Sequence, residues 1–230
     1  MIKAILMDFN GIIINDEPLQ MQAYKEILQG EDINLTEEEY YSSLGMDDKT
    51  FVEAVYKRAG KKILPEKVIE ITNAKTAKWR EMIDAEIPLF GDVENFVRKM
   101  EKDFAVGIVS MARREEIEYV LGKVGLRGSF LAIVSADEIE NCKPDPECYR
   151  KGFNLIDAAR MQAGSNPIVH KDCLVIEDSP AGIVAGKQAG LKTLGITNTV
   201  SARELREAGA DAVSKNLGDW MPDSMRRVFV

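Results

Sequence analysis

The chain of 230 residues carries 38 acidic and 30 basic side chains, for a net charge of −8, and 45% of its residues are hydrophobic. This acidic balance disfavours nucleic acid and anionic membranes as partners, and no apolar run approaches the roughly 20 residues of a membrane helix. With no signal-peptide pattern at the N-terminus, we expect a cytoplasmic protein that is a monomer or a weak homo-oligomer.

The chain has only three cysteines and one histidine, so it offers few residues for thiol or imidazole chemistry. The three cysteines, Cys142, Cys148 and Cys173, show no C-x-x-C spacing, which disfavours a zinc site or a disulfide framework. The single histidine, His170, lies in a polar stretch and is predicted to occupy a surface loop. Catalysis by a Ser-His-Asp or Cys-His arrangement is therefore disfavoured.

Short apolar runs alternate with helical patterns along most of the chain. The predicted strands are Ile2 to Met7, Phe104 to Val109, Leu131 to Val134, Cys173 to Ile176, Thr193 to Ile196 and, more weakly, Ala210 to Val213. The predicted helices between them are Val93 to Lys102, Arg114 to Val124 and Pro180 to Ala189. This alternation predicts an α/β fold with a Rossmann-like parallel sheet core.

Residues 16–86 break the alternation because they show only helical patterns. These are Glu17 to Gln29, Thr36 to Leu44, Lys49 to Ala59 and Pro65 to Asp84. Four such helices are enough for a small bundle. We therefore predict an inserted α-helical cap domain at 16–86, with the core formed by 1–15 and 87–230. The tail, 216–230, is predicted to end in a short strand or a docked segment.

Polar residues follow three of the apolar runs. The first run ends in Asp8, the second in Ser110, and the fourth in Glu177 and Asp178. The carboxyl ends of parallel strands share one edge, where open α/β sheets bind ligands, and Lys143 follows the third run closely enough to reach it. Because clustered carboxylates repel one another and offer only oxygen ligands, the pattern favours Mg²⁺ over zinc.

The ordered stretches MDFNG, GIVSMA, KPDPECY and EDSPAGIVAG resemble the motifs of the haloacid dehalogenase superfamily of phosphohydrolases. The chain is most similar to the branch with a helical cap after the first strand, which includes β-phosphoglucomutases and phosphoglycolate phosphatases. The resemblance implies a Mg²⁺-dependent hydrolase acting on a small phosphorylated metabolite.

The resemblance also implies a role for each matching residue. Asp8 is the implied nucleophile, which forms an aspartyl-phosphate, while Ser110, Met111 and Lys143 hold the transferring phosphoryl group. The implied metal ligands are Asp8, the backbone carbonyl of Asn10 and Asp178, with Glu177 close beside the metal. The cap is expected to close over the site and to select the leaving group.

Asn10 departs from the family pattern, which places a second aspartate there as general acid and base. An amide can do neither, and loss of such a group costs about 10²- to 10⁴-fold in rate. Three explanations stay open: an engineered or trapping change, a natural variant that is slow or suits substrates with good leaving groups, and a non-catalytic descendant that binds a phosphometabolite or a protein partner. The backbone carbonyl at this position, and with it metal binding, is expected to persist.

The predicted cap also departs from the family pattern. Gln20 stands where β-phosphoglucomutases carry a histidine, and Asp47, Asp48 and Lys49 stand near the place of a phosphate-binding arginine. Because two acids there would repel a second phosphate, a phosphatase is favoured over a β-phosphoglucomutase-like phosphotransferase.

Two further features of the cap are less decisive. Two alternatives stay open for Lys75 and Lys78: a position that faces the substrate or, as the favoured interpretation, a solvated helix face with Trp79 in the cap core. Asn15, followed by Asp16, replaces the usual acid near the cap hinge. A dehalogenase is disfavoured by the acid pair after the fourth strand, and phosphonate cleavage by a cap lysine is disfavoured by the motif spacing.

Overall fold

A computed structural model describes all 230 residues of the chain. Six strands form one parallel sheet in the order β3-β2-β1-β4-β5-β6. The strands are β1 (Ala4–Met7), β2 (Ala105–Val109), β3 (Ala132–Val134), β4 (Cys173–Glu177), β5 (Lys192–Ile196) and β6 (Ala212–Ser214). The predicted α/β fold with a Rossmann-like parallel sheet is confirmed.

The central strand β1 is buried on both of its faces. Its side chains alternate: Ile5 and Met7 belong to one apolar cluster, whereas Ala4 and Leu6 belong to another. Because both sides are covered, the strand reads in the sequence as a continuous apolar run, which is the usual signature of a parallel sheet.

Four helices lie between β1 and the rest of the sheet, in the region predicted as the cap. They are α1 (Glu17–Gln29), α2 (Glu37–Tyr41), α3 (Asp48–Arg58) and α4 (Pro65–Ile83). Local signals set their starts: the Thr36 side chain caps α2, the Asp47 side chain caps α3, and Pro65 opens α4. We use the word cap for these four helices and the loops that join them.

The cap has an apolar cluster of its own, built around residues such as Leu28, Phe51 and Val52. The end of α4 departs from this arrangement, because Trp79 and Ile83 are fully buried in the larger cluster beneath the sheet. The interpretation of Trp79 as a cap-core residue is therefore wrong: its side chain joins the cap to the core.

Six further helices complete the chain. They are α5 (Val93–Met100), α6 (Arg114–Lys123), α7 (Glu147–Gln162), α8 (Pro180–Gln188), α9 (Ala202–Glu207) and α10 (Pro222–Val228). The predicted strands and helices lie within three residues of the observed ends, but α7, α9 and α10 were not predicted as helices. None of the ten α-helices combines the length and apolarity needed to cross a lipid bilayer.

The C-terminal tail is docked, as one of the two alternatives expected, but it ends in a helix and not in a strand. Helix α10 follows a 3₁₀ turn at Leu217–Asp219. Met225 and Phe229 are buried in the larger apolar cluster, where the Phe229 ring lies 5.7 Å from that of Trp220. Apolar burial therefore fixes the end of the chain.

Candidate active site

The structure brings the predicted site residues to one edge of the sheet. Asp8 directly follows β1, Ser110 directly follows β2, and Glu177 ends β4 with Asp178 immediately after it. These three strands are neighbours in the sheet, so their carboxyl ends open into the same crevice. Lys143 reaches this crevice from the loop after β3.

Lys143 lies between two carboxylates. Its side chain is 1% exposed, and its Nζ is 3.0 Å from Asp8 Oδ2 and 2.5 Å from Glu177 Oε1. Although burial alone would lower it, these two negative charges raise the pKa of Lys143 above its ordinary value. The ammonium is therefore charged at neutral pH, beside the carboxylate predicted to be the nucleophile.

Glu177 has no oxygen left without a donor from the protein. Oε1 accepts hydrogen bonds from Lys143 and from the Tyr149 hydroxyl at 2.8 Å, and Oε2 accepts from the backbone N–H groups of Asp178 and Ser179 and from the Ser179 hydroxyl. These contacts hold the pKa of Glu177 below its usual range despite its burial. A side chain at Gly182 would collide with this carboxylate, because its Cβ would lie 1.8 Å from Oε1.

Asp8, Glu177 and Asp178 form a cluster in which one carboxylate oxygen from each lies within 4.8 Å of the others. Burial raises the pKa of Asp8 to about 7, with the charge of Glu177 adding to the rise, and burial likewise raises the pKa of Asp178 well above its ordinary value. Asp178 keeps Oδ1 free of hydrogen bonds, while Thr199 donates to its Oδ2. A hard cation with a preference for oxygen ligands fits this set, because it relieves the repulsion.

The turn after Asp8 is shaped to leave room for that cluster. Gly11 has a φ of +72°, and a Cβ at this position would lie 1.8 Å from Asp178 Oδ2. Glycine is thus required here both by the left-handed backbone and by the close approach of the carboxylate. The glycine of the MDFNG stretch therefore has a direct steric reason.

A buried acid, Asp16, holds the Asn10 side chain in place. Its Nδ2 donates to both oxygens of Asp16, at 3.0 and 3.1 Å, and its Oδ1 lies 3.5 Å from the Ser110 hydroxyl. Asp16 also accepts hydrogen bonds from Trp79 Nε1 at 2.8 Å and from Gln20 Nε2 at 3.1 Å. Burial raises the pKa of Asp16 to about 6, and these donors oppose the rise. Asp16, beside the cap hinge, therefore orients the Asn10 amide.

A cavity of about 90 Å³ lies between the cap and the sheet edge. Asp8, Asn10, Ser110, Met111, Lys143 and Asp178 all line it, whereas Glu177 lies beneath the others. The backbone N–H groups of Asn10 and Met111 have no acceptor within the chain and are available to a phosphoryl oxygen.

Two glutamates that the sequence patterns did not single out also line the cavity. They are Glu17, at the start of α1, and Glu116, on α6. The Tyr40 hydroxyl donates to Glu17 Oε2 at 2.6 Å, and burial raises the pKa of Glu17 to about 7. Glu116 lies in a helix turn with ordinary helical spacing, so only the packing of α6 against the cap reveals its position.

The interpretation of the two cap lysines as a solvated face is wrong for Lys75 and correct for Lys78. The Lys75 side chain is 1% exposed and lines the cavity, whereas Lys78 is 36% exposed and pairs with Glu26 on the surface. The remaining singled-out groups lie elsewhere: His170 is exposed and stacks on Phe153 at 4.3 Å, and the cysteines are free thiols.

Comparisons with known proteins agree with this arrangement. The haloacid dehalogenase-like hydrolase family matches residues 5–196. The chain is 26% identical over 220 residues to the validoxylamine A 7'-phosphate phosphatase of Streptomyces hygroscopicus subsp. limoneus, covering 94% of this chain and 95% of that protein. It is also 26% identical over 224 residues to SUPPRESSOR OF QUENCHING 1 of Arabidopsis thaliana, covering 95% of this chain but 20% of that protein. The chain thus spans about a fifth of the plant relative.

The fold has a solved counterpart. The crystal structure of a β-phosphoglucomutase from Clostridium difficile superposes with a TM-score of 0.85 at 20% identity, covering 100% of this chain and 97% of that one. The family match extends over most of the chain and includes Asp8, Ser110, Lys143 and Asp178. The chain therefore belongs to the haloacid dehalogenase-like hydrolase family, and it is a phosphohydrolase.

Proposed function

We propose that the chain is a Mg²⁺-dependent phosphatase of a small phosphorylated metabolite and that Asp8 is its nucleophile. The observation that carries this proposal is the position of Asp8: it lies 3.0 Å from the buried ammonium of Lys143, in a cavity also lined by Ser110 and Met111. Phosphoryl transfer needs mainly alignment and charge neutralisation, which a fixed ammonium, a hydroxyl and free backbone N–H groups supply.

The cation site has a defined set of residues. Asp8, the backbone carbonyl of Asn10 and Asp178 would hold Mg²⁺, and Glu177 stands outside them because its oxygens are engaged with Lys143, Tyr149 and Ser179. Bound there, the ion would supply positive charge against the phosphoryl oxygens. Glu177 acts instead on Lys143, whose ammonium it holds beside Asp8.

Two steps follow from this assignment. An Asp8 oxygen forms a bond to phosphorus while the bond from phosphorus to the substrate oxygen breaks, and the alcohol leaves with that electron pair. Water then attacks phosphorus, which releases inorganic phosphate and restores Asp8. Asn10 can neither protonate the departing alcohol nor accept the proton of the water, so both protons exchange with solvent. We therefore expect slow turnover and a preference for good leaving groups.

The test is hydrolysis of p-nitrophenyl phosphate with Mg²⁺. Asn10→Asp should raise the steady-state rate by about 10²- to 10⁴-fold, because it restores a general acid and base. Asp8→Asn should abolish turnover in both backgrounds. Intact-mass measurement of the unsubstituted chain during turnover should show one added phosphoryl group, which Asp8→Asn prevents. No hydrolysis by either the chain or Asn10→Asp would overturn the proposal.

The second candidate function is binding of a phosphometabolite without turnover, which Asn10 favours. Inorganic phosphate that binds in the presence of Mg²⁺, together with inactivity of Asn10→Asp, would select it. The β-phosphoglucomutase-like phosphotransferase is less well supported, because the buried Lys75 is already paired with Asp48 and Glu116. The location of the chain in the cytoplasm and its association state stay predictions from the sequence.

A further inference from the structure

The cavity has a second wall that takes no part in the chemistry at Asp8. We call it the helical wall, because it is supplied by α1, α2, α3, α4 and α6. Its members are Glu17, Tyr24, Tyr40, Asp48, Phe51, Lys75 and Glu116. The wall carries three carboxyl groups and one amine, so its acidic side chains outnumber the basic one.

The single cation of the helical wall has no capacity left for a substrate anion. Lys75 Nζ lies 2.8 Å from Asp48 Oδ2, 2.9 Å from Glu116 Oε1 and 3.1 Å from Gln20 Oε1. An ammonium has three donors, and three acceptors already surround this one. A carboxylate or phosphate on the substrate could reach Lys75 only by breaking a buried ion pair, which is strongly unfavourable.

Two carboxyl groups of the helical wall, by contrast, each have an oxygen that accepts no hydrogen bond from the protein. Glu116 is 1% exposed and lines the cavity, and Lys75 and Thr76 both donate to its Oε1, whereas its Oε2 makes no hydrogen bond. Glu17 repeats the pattern, because Tyr40 donates to Oε2 and nothing donates to Oε1. Both oxygens remain accessible in residues that line the cavity, so each can accept a hydrogen bond from a ligand there.

The size of the cavity limits the ligand that can supply these donors. Its volume of about 90 Å³ corresponds to roughly six to nine water-sized positions. A phosphoryl group at Asp8 takes up part of that space, so the part of the substrate enclosed between Asp8 and the helical wall must be short.

We infer that the substrate is a short phosphomonoester whose alcohol carries an ammonium group, and that the helical wall binds this group through Glu116 and Glu17. The inference rests on the proposed phosphatase function and adds the substrate class to it. Esters with a carboxylate or a second phosphate in place of the ammonium are disfavoured by the same carboxylates.

Three small esters of similar size, whose alcohols differ in charge, separate the possibilities: O-phosphoethanolamine, glycerol 3-phosphate and 2-phosphoglycolate. We expect kcat/KM to fall in that order, by about tenfold at each step, because a charge-assisted hydrogen bond is lost and then a repulsion is added. The measurement is made with Mg²⁺ in the Asn10→Asp variant, where turnover is fast. Affinities measured by calorimetry on the unsubstituted chain should follow the same order.

The variant Glu116→Gln removes the charge and keeps the shape of the side chain. It should reduce the ratio of kcat/KM for O-phosphoethanolamine over glycerol 3-phosphate by about tenfold. Glu94→Gln is the matched control, because Glu94 is 52% exposed on α5, where it pairs with Arg98. This control should leave the ratio unchanged.

The outcomes distinguish the two proposals. Suppose that p-nitrophenyl phosphate is hydrolysed, but kcat/KM for 2-phosphoglycolate or glycerol 3-phosphate equals or exceeds that for O-phosphoethanolamine. This result overturns the inference and leaves the phosphatase function standing. No hydrolysis of any ester overturns both. Because the comparison of the three esters needs no change at Glu116, it stays decisive even if Glu116→Gln does not fold.

Discussion

The contact between Asn10 and Asp16 fixes the orientation of the amide in the MDFNG motif. The Asn10 amide donates both of its Nδ2 hydrogen bonds to Asp16, which leaves the carbonyl oxygen facing Ser110. A buried carboxylate is thus present close to position 10, but Trp79 and Gln20 also bind it and hold it away from solvent. It orients the amide that stands at the general acid and base position.

At Glu17, burial leads to a prediction about pH and stability. Burial raises its pKa from 4.5 to about 7 in the folded chain. Between these values the folded state keeps a proton that the unfolded state has released, so the free energy of unfolding falls as pH rises through this range. Glu17→Gln removes that loss. Relative to the unsubstituted chain, the variant should gain up to about 3 kcal/mol between pH 4.5 and pH 8.

Urea unfolding at a series of pH values measures this difference. Glu37→Gln is the matched control, because the Glu37 side chain is 72% exposed at the start of α2. The control should show the pH dependence of the unsubstituted chain. An identical pH dependence for Glu17→Gln would contradict the prediction.

At the scale of elements, helix α4 both packs in the cap cluster and connects the cap to the cavity and the core, and its sequence pattern does not separate these two roles. Its apolar positions predict the helix correctly, and Val68 and Ile71 pack in the cap cluster. Lys75 faces the cavity, and Trp79 enters the larger cluster beneath the sheet. These last two positions depend on how the cap is seated on the core, which no local pattern encodes.

The sequence was sufficient where strand polarity alone decides the geometry. Asp8, Ser110 and Asp178 follow strands that are direct neighbours, so the apolar runs were enough to bring them together. It was insufficient for contacts between helix faces, such as Lys75 with Glu116, because such pairs join residues distant in the chain. Helix α7 escaped prediction although Cys148, Tyr149, Phe153 and Ile156 have helical spacing and are buried.

The C-terminal helix α10 should contribute strongly to the stability of the core. Phe229 is 1% exposed, and its ring packs near Trp220 in the larger cluster. Phe229→Ala should lower the free energy of unfolding by about 3–5 kcal/mol, because it removes a buried ring and leaves a cavity. Val228→Ala, at a position that is 52% exposed, should change it by less than about 0.5 kcal/mol.

Urea denaturation of both variants gives the comparison directly. Equal midpoints for Phe229→Ala and Val228→Ala would show that the tail is not docked as the structure has it.

At the scale of the whole molecule, the carboxylate cluster makes folding sensitive to cations. Asp8, Glu177 and Asp178 repel one another in the folded state, and the raised pKa values of Asp8 and Asp178 record that cost and the cost of burial. The unfolded chain has no such cluster. A cation that binds only the folded state therefore stabilises the entire fold by mass action.

Mg²⁺ at about 100 times its Kd should stabilise the folded chain by about 2.7 kcal/mol, which for a chain of this size raises Tm by about 5–10 °C. The shift should be smaller at pH 6 than at pH 8, because protonation of Asp8, whose pKa is about 7, competes with the cation. Differential scanning calorimetry of chelator-treated protein measures both effects, with KCl at equal ionic strength as the control for screening.

The variant Asp178→Asn sharpens this test. It removes one negative charge from the cluster, while an amide oxygen can still accept the hydrogen bond from Thr199. Without Mg²⁺ its Tm at pH 8 should equal or exceed that of the unsubstituted chain, and Mg²⁺ should no longer raise it. A Mg²⁺-dependent rise that survives in Asp178→Asn would place the cation elsewhere in the molecule.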